Sequence, residues 1–334
     1  MVGIIHVGLG AIGKATVLAI LERPGETLGA VVDTDPKLAG ANLAAVLGKQ
    51  APAGAEKVQI VPTLKQARAL APDAKVAIVT TESRMEMIRG TLEQCAEQGF
   101  NVVSSCEELA WPMLRNLELA DYLDRVFKSR KLTLLGTGVN PGFAMDTFAL
   151  MISAGCGQVK AIRCTRSLDA KARRQQLQDK VAAGLSLEEF RRALAAKKIG
   201  LVGCAESAAL LAAGMGWKLD EVDEWYEPVV AEEPVISGRL KIPAGRVRGM
   251  RLMAVASSSG RKVVEMDLTM AVGAETYDEI SIDGEPNLNV RVTTGFPGDN
   301  CTVSLLVNCS QTLLKLKPGL RTMLDLVPLR GVGV

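Results

Sequence analysis

The sequence predicts an α/β fold in two domains: an N-terminal doubly wound parallel sheet, then a mixed α+β domain with an open, largely antiparallel sheet. Three observations carry this reading. From Ile4 to Leu135, short apolar runs alternate with longer amphipathic segments, the pattern of a parallel sheet with helices on both faces. The alternation breaks at the turn-rich segment Gly136-Thr137-Gly138-Val139-Asn140-Pro141-Gly142. From Glu224 to Thr294, strand candidates then follow one another across short Gly, Ser and Asp turns.

In the first part, strands are expected at Ile4–Val7, Leu28–Asp33, Val58–Ile60, Val76–Val79, Asn101–Ser104 and Thr133–Leu135. These are continuous apolar runs, as strands covered on both faces should be. Helices are expected at Ile12–Glu22, Leu38–Leu47, Leu64–Leu70, Met85–Gln98 and Pro112–Lys128. Past the break, helices are expected at Phe143–Ala154, Leu187–Ala196 and Ala205–Met215, and strands at Val247–Ser257, Lys262–Val272, Tyr277–Ile282 and Asn287–Thr294. An apolar helix, Cys301–Lys315, ends before the stop signal Pro318-Gly319. The predicted division is a nucleotide-binding domain over 1–138 and a substrate and dimerisation domain over 139–300, with 301–334 packing back on the first.

Composition narrows the function. The 334 residues suit about two domains at roughly 150 residues each. A net charge of +2 and 4% aromatic residues argue against a nucleic-acid partner, which wants a basic stripe and stacking platforms. No apolar run reaches the roughly 18 residues of a membrane-spanning helix. A first strand beginning at Ile4 leaves no room for a signal peptide, and seven cysteines with no C-x-x-C pair suit a reduced compartment without structural zinc. The expectation is a cytoplasmic protein without a metal site. There is one histidine, His6, inside the first strand, where a core role is expected.

Gly8-x-Gly10-x-x-Gly13 follows that strand and opens a helix. Gly8 permits the tight turn, Gly10 lets a pyrophosphate approach the backbone, and Gly13 lets helix and sheet pack closely. The helix start, with Ala11 and Ile12, offers unpaired amides and the positive end of its dipole to phosphate. Asp33 closes the second strand about 20 residues beyond Gly13, where a carboxylate accepts from the adenosine ribose hydroxyls. Its charge favours NAD over NADP, while Lys37 nearby keeps NADP in play. This is the Rossmann arrangement. Ligands in such sheets sit beyond the carboxyl ends of the strands, which brings in Thr80, Thr81, Ser104 and Cys106 as cofactor contacts.

Glu107 and Glu108 follow Ser104-Ser105-Cys106. Acids here either open a helix or serve as a general acid/base. Transfer of hydride to nicotinamide must be matched by a proton movement at the substrate, and with the one histidine inside a strand a carboxylate is the candidate for it. Cys106 lacks a histidine base, so a covalent role is not expected.

Gly8–Gly13, the segment Ser104-Ser105-Cys106-Glu107-Glu108-Leu109 and the segment Gly136–Phe143 with Asp146 together resemble the 2,4-diaminopentanoate dehydrogenase and native amine dehydrogenase family, a branch of the dihydrodipicolinate reductase architecture. Ile199–Gly203 and Glu206-Ser207 resemble a further family segment on the substrate side. The resemblance implies NAD(P)-dependent oxidoreduction at a CH–NH2 group: reversible oxidative deamination of an amine or diamino acid, or reductive amination of a carbonyl compound with ammonia. It puts the catalytic glutamate at Glu108, with Glu107 as second choice. It puts Asn140 near the nicotinamide, where it is also a candidate substrate contact, and it implies a homodimer. Phe143 and Met145 are candidates for an apolar substrate pocket, with core packing as the other reading of them. The reductases proper carry a His-His and Lys segment that this chain lacks. Two alternatives stay open: a dihydrodipicolinate reductase-like imine reductase, with Arg163, Arg166, Arg173 and Arg174 as a cationic clamp, and a non-catalytic NAD-binding sensor.

Overall fold

The computed structural model describes residues 1–172, 181–237 and 240–326. The chain divides into two units, one joining Met1–Phe143 to the segment from Pro297 onward, the other Ala144–Phe296. The division therefore falls at Phe143 rather than at residue 138, and the return comes at Pro297 rather than at residue 301. The reason is local. Thr137 N donates to Ser104 O at 2.9 Å, and Val139 N donates to Thr302 Oγ1 at 3.2 Å, so the turn-rich segment stays fastened to the first unit.

In the first unit, β1 (Val2–Val7), β2 (Glu26–Val32), β3 (Ile60–Val61), β4 (Val76–Val79), β5 (Asn101–Ser104), β6 (Thr133–Gly136) and β15 (Gly319–Arg321) form one parallel sheet in the order β15-β6-β5-β4-β1-β2-β3. Strand order reverses between β1 and β4, which is the switch point where doubly wound sheets bind ligands. β4 and β6 are buried along their whole length, as their unbroken apolar runs require. Helix α1 (Ala11–Glu22) follows the glycine loop. Helices α4 (Met85–Glu97) and α5 (Leu117–Ser129) bury Met85, Ile88 and Leu92, and Leu119, Leu123 and Phe127, spaced to fall on one helical face. The expected helix at Leu38–Leu47 shrinks to α2 (Leu43–Leu47), because the Asn42 side chain accepts from Ala45 N and caps it there. Asn116 does the same at Leu119 N, so α5 begins at Leu117 rather than Pro112. α3 spans Leu64–Leu70, as expected.

β15 was not anticipated. The sequence marks Pro318-Gly319 only as a stop, yet Gly319 and the two residues after it add a strand beside β6, held by Leu320 N donating to Asp124 Oδ1 at 3.0 Å.

In the second unit come α6 (Thr147–Ser153), β7 (Gln158–Asp169), α7 (Leu187–Ala195), α8 (Cys204–Gly214), β8 (Glu221–Val230), β9 (Val235–Ser237), β10 (Leu240–Ile242), β11 (Val247–Ser258), β12 (Arg261–Ala271), β13 (Tyr277–Glu285) and β14 (Leu288–Val292). The six-stranded sheet runs β14-β13-β7-β12-β11-β8, antiparallel except for the β7–β12 pair. β7, a central strand, was missed in the sequence because Lys160, Arg163 and Arg166 interrupt its apolar pattern. Cys164, Met266, Ala254 and Ile280 lie in register across neighbouring strands and are buried.

Two of the four arginines of the proposed clamp are committed elsewhere. Arg166 is 1% exposed; its Nη1 lies 2.6 Å from Asp278 Oδ1 and its Nη2 donates to Phe296 O. Arg163 lies 3.6 Å from Glu265 and 3.5 Å from Asp267 on the sheet. A buried guanidinium already paired with a carboxylate has no charge to spare for a diacid. Arg173 and Arg174 lie outside the described residues.

The last long helix, α9 (Gly298–Thr312), packs on α1 in the first unit. Its seam holds the buried Glu26 carboxylate, whose Oε1 accepts from Ser310 Oγ at 2.8 Å. Burial pushes this carboxyl above its ordinary range, with the Ser310 bond and Arg23 opposing the rise. Because the folded state binds the proton more tightly than the unfolded chain, stability from Glu26 is present below the usual carboxylate pKa and is lost as pH rises through the raised value. Glu26→Gln keeps an acceptor for Ser310 and removes the buried charge. It should raise Tm at pH 8 by roughly 2–4 °C and much less at pH 4.5, read by scanning calorimetry. An equal shift at both pH values would contradict the assignment.

Candidate functional site

The site is built from the carboxyl ends of β2, β1, β4 and β5, all in the first unit. After β1, Gly8 turns with φ at +94°, a conformation that costs other residues strain. A Cβ on Gly13 would overlap the Gly8 carbonyl oxygen, so the third glycine is required by the turn itself. Gly10 caps α1 without a side-chain bond, and the first helical hydrogen bond runs from Lys14 N to Gly10 O at 2.9 Å. Gly10 and Ala11 are exposed and Ile12 is half-buried. The first-turn amides thus meet solvent where a phosphate would sit, beside glycines a Cβ could not replace, and the residues present fit a dinucleotide.

Asp33 stands just past β2. Its Oδ2 accepts from Leu9 N at 2.7 Å and its Oδ1 from Asp35 N at 2.9 Å. The carboxylate is half-exposed and fixed in direction by two main-chain amides. Lys37 is exposed, and its own amide donates to Asp35 Oδ1. Thr80, a candidate cofactor contact from the sequence, is half-buried and donates its hydroxyl to Gly8 O at 3.2 Å; Thr81 is exposed beside it.

His6 is fully buried. Its Nε2 lies 3.0 Å from Gly8 O and 3.1 Å from Thr80 Oγ1. Donation to the Gly8 carbonyl requires the proton on Nε2, which leaves Nδ1 buried without a hydrogen-bond partner. Burial lowers the imidazole pKa to about 4, so the ring is neutral near pH 7.

At the end of β5, Ser104 and Cys106 are each 1% exposed. The Ser104 hydroxyl accepts from Cys106 N at 3.1 Å and shapes the turn. Burial, reinforced by the neighbouring Glu107 and Glu108 charges, drives the Cys106 thiol far above its ordinary pKa. It is held as the unreactive thiol. Glu107–Ala110 form a short 3-10 turn in which both glutamates are half-buried. Glu108 Oε2 accepts from Met85 N at 2.9 Å and Glu108 N donates to Ser83 O at 3.2 Å. Arg84, the N-cap of α4, offers that helix no side-chain bond, so Glu108 supplies the cap from a distant segment.

Asn140 and Phe143 are half-buried in the first unit. Met145 belongs to the second unit and is 1% exposed. Also in the second unit, Ser207 Oγ donates to Asp146 Oδ2 at 2.6 Å, and Asp146, Glu206 and Ser207 are all fully buried. The roles of His6 and Thr80 at the Gly8 carbonyl, and of Glu108 at α4, were not visible in the sequence. Each depends on which strand ends the fold brings together.

The buried imidazole has a measurable consequence. A histidine pKa lowered from 6.5 to about 4 gives stability that is complete above pH 6.5 and is lost as pH falls toward 4. Wild-type protein should lose about 3 kcal/mol over that window relative to His6→Gln, read from urea unfolding at pH 7, 5.5 and 4. Parallel losses in the two proteins would mean that the ring is not held neutral.

The family model for the C-terminal domain of 2,4-diaminopentanoate dehydrogenase matches residues 143–332. The chain is 29% identical over 338 residues to the 2,4-diaminopentanoate dehydrogenase of Acetoanaerobium sticklandii, covering 99% of this chain and 95% of that protein. It is 20% identical to an amine dehydrogenase of Streptomyces virginiae, covering 99% and 97% of the two. The structure of an amine dehydrogenase from Mycobacterium smegmatis superposes with a TM-score of 0.85 at 21% identity, over 99% of this chain and 97% of that one. With a family model spanning more than half its length and relatives aligned nearly end to end, the chain belongs to the 2,4-diaminopentanoate dehydrogenase family.

Proposed function

We propose that the chain is an NAD-dependent amine dehydrogenase, catalysing reversible oxidative deamination of an amine or diamino acid and, in reverse, reductive amination of a carbonyl compound with ammonia. The observation that carries the reading is one unit holding both the open amides of the α1 start beside Asp33 and the glutamate pair past β5. Family membership supports an oxidoreductase acting on amines.

Bound nicotinamide would supply the two-electron acceptor for the substrate C–H bond. The amides of Gly10, Ala11 and Ile12 hold the pyrophosphate, and Asp33 accepts from the adenosine ribose hydroxyls. The same carboxylate repels a 2′-phosphate, so NAD is the expected cofactor; Lys37 is the residue through which NADP would be accommodated. Thr81 and Asn140 serve the nicotinamide end, and Asn140 with Phe143 contacts the substrate.

An amine can release hydride from its α-carbon only when its nitrogen lone pair is free. Glu108 takes the ammonium proton and so frees that pair. The Met85 amide fixes one carboxylate oxygen, which leaves the other to receive the proton. Loss of hydride gives an iminium. After the carboxyl passes the ammonium proton to solvent, the carboxylate takes one from water as that water attacks the iminium carbon. It returns this proton to the nitrogen, and takes the carbinol hydroxyl proton as the C–N bond breaks and ammonia leaves. Reductive amination runs the same steps backwards. Glu107 is the second choice for this role. A homodimer is the expected assembly.

No observation favours the imine-reductase alternative, since two arginines of its clamp are already paired. Glu108→Gln retains a carbonyl oxygen for Met85 N, so it should keep its Tm while losing roughly 10²–10⁴-fold in kcat for amine oxidation. Retention of wild-type turnover by both Glu108→Gln and Glu107→Gln would sink the carboxylate mechanism. NAD binding without turnover, across a panel of carbonyl compounds with ammonia and of amines, would mark a sensor instead.

A further inference from the structure

We propose that the Gly8–Leu9 peptide is a strap across the nucleotide site, and that His6 and Thr80 are positioning residues that set affinity for the adenosine half of the dinucleotide without touching it. The proposal rests on the dinucleotide reading above and assigns the groups that tune it.

A planar trans peptide points its C=O and N–H in opposite directions. Here each end is gripped by a different strand end. The Gly8 carbonyl receives the His6 imidazole of β1 at 3.0 Å and the Thr80 hydroxyl beyond β4 at 3.2 Å. The Leu9 N–H donates to Asp33 beyond β2 at 2.7 Å. β4, β1 and β2 are adjacent in the sheet, so one peptide laces three strand ends together at the switch point. Glycine at position 8 has no Cβ to resist rotation of this peptide. Its orientation is held by the two donors on its carbonyl.

Asp33 depends on that orientation. One of its oxygens is aimed by Leu9 N and the other by Asp35 N. If the Gly8 carbonyl lost its donors, the peptide would rotate, Leu9 N–H would leave the carboxylate, and the acceptor for the adenosine ribose would lose its setting. His6 cannot respond by charging at neutral pH, because burial holds it neutral down to about pH 4. The strap is therefore constant across the working range. The Thr80 hydroxyl has a single proton and spends it on Gly8 O. This separates two roles for Thr80. A direct contact to the nicotinamide ribose would be felt by NAD alone, whereas the strap is felt equally by ADP, which lacks that ribose.

The test is titration calorimetry of NAD and of ADP into wild-type protein, Thr80→Val, Thr80→Ser and His6→Leu. Thr80→Val keeps the side-chain shape and removes the hydroxyl; Thr80→Ser keeps the donor. Thr80→Val should weaken both ligands by the same factor, roughly three- to tenfold, and Thr80→Ser should restore both. His6→Leu should weaken both in the same way, provided its melting curve shows a folded protein; the Thr80 pair carries the test if it does not. The strap is overturned if Thr80→Val weakens NAD and leaves ADP unchanged, or changes neither. Wild-type protein that bound neither ligand would overturn the dinucleotide reading itself, a result distinct from either.

Discussion

The Gly8 carbonyl accepts from a buried imidazole and from a threonine hydroxyl, and its peptide partner Leu9 N donates to Asp33. The geometry of the candidate site follows from this single peptide. It fixes where α1 begins, because Gly13 must pass against the same carbonyl oxygen. It fixes which way Asp33 faces, and with the Gly10 cap left open it presents the first-turn amides to solvent. A loop this short could flex. Here the sheet closes it from three adjacent strand ends, and the burial of His6 keeps the closure uncharged at neutral pH.

The second chemical centre is held by the same economy of main-chain bonds. Glu108 reaches back to the amide of Met85, so the residue proposed to move a proton also caps the helix after β4. The two roles are compatible because a carboxylate has two oxygens and the cap uses one. Cys106, directly before the pair, is kept inert by burial, which leaves the acid/base chemistry to its neighbours. The buried Glu26 and His6 act on stability from opposite sides, one penalising high pH and the other low pH.

Much of this was legible in the sequence because its causes are local. Val76–Val79 is an uninterrupted apolar run and Asn101–Ser104 carries an apolar Val102-Val103 centre, and both strands appear with the expected bounds. The glycine loop declares itself because its steric demands fall within six residues. β7 was hidden because Arg166 reads as a surface residue until Asp278, from another strand, neutralises it in the core. β15 was hidden because three residues that begin at the glycine of a Pro-Gly stop carry almost no periodicity, and only the open edge of β6 makes them a strand. In the site, Asp33 was readable from spacing. The contacts of His6 and Thr80 were not, because they depend on the parallel register that sets His6 opposite Ile78. Glu108 was readable as an acid at a strand end, but its bond to α4 joins segments 23 residues apart.

A crystal structure of the chain with NAD bound tests the central claim most directly. The account predicts the pyrophosphate on the amides of Gly10, Ala11 and Ile12, the adenosine ribose on Asp33, and the carboxylate of Glu108 or Glu107 turned toward C4 of the nicotinamide ring, with room beside it for an amine nitrogen. A dinucleotide bound away from the glycine loop, or a nicotinamide face with neither glutamate within reach, would contradict it.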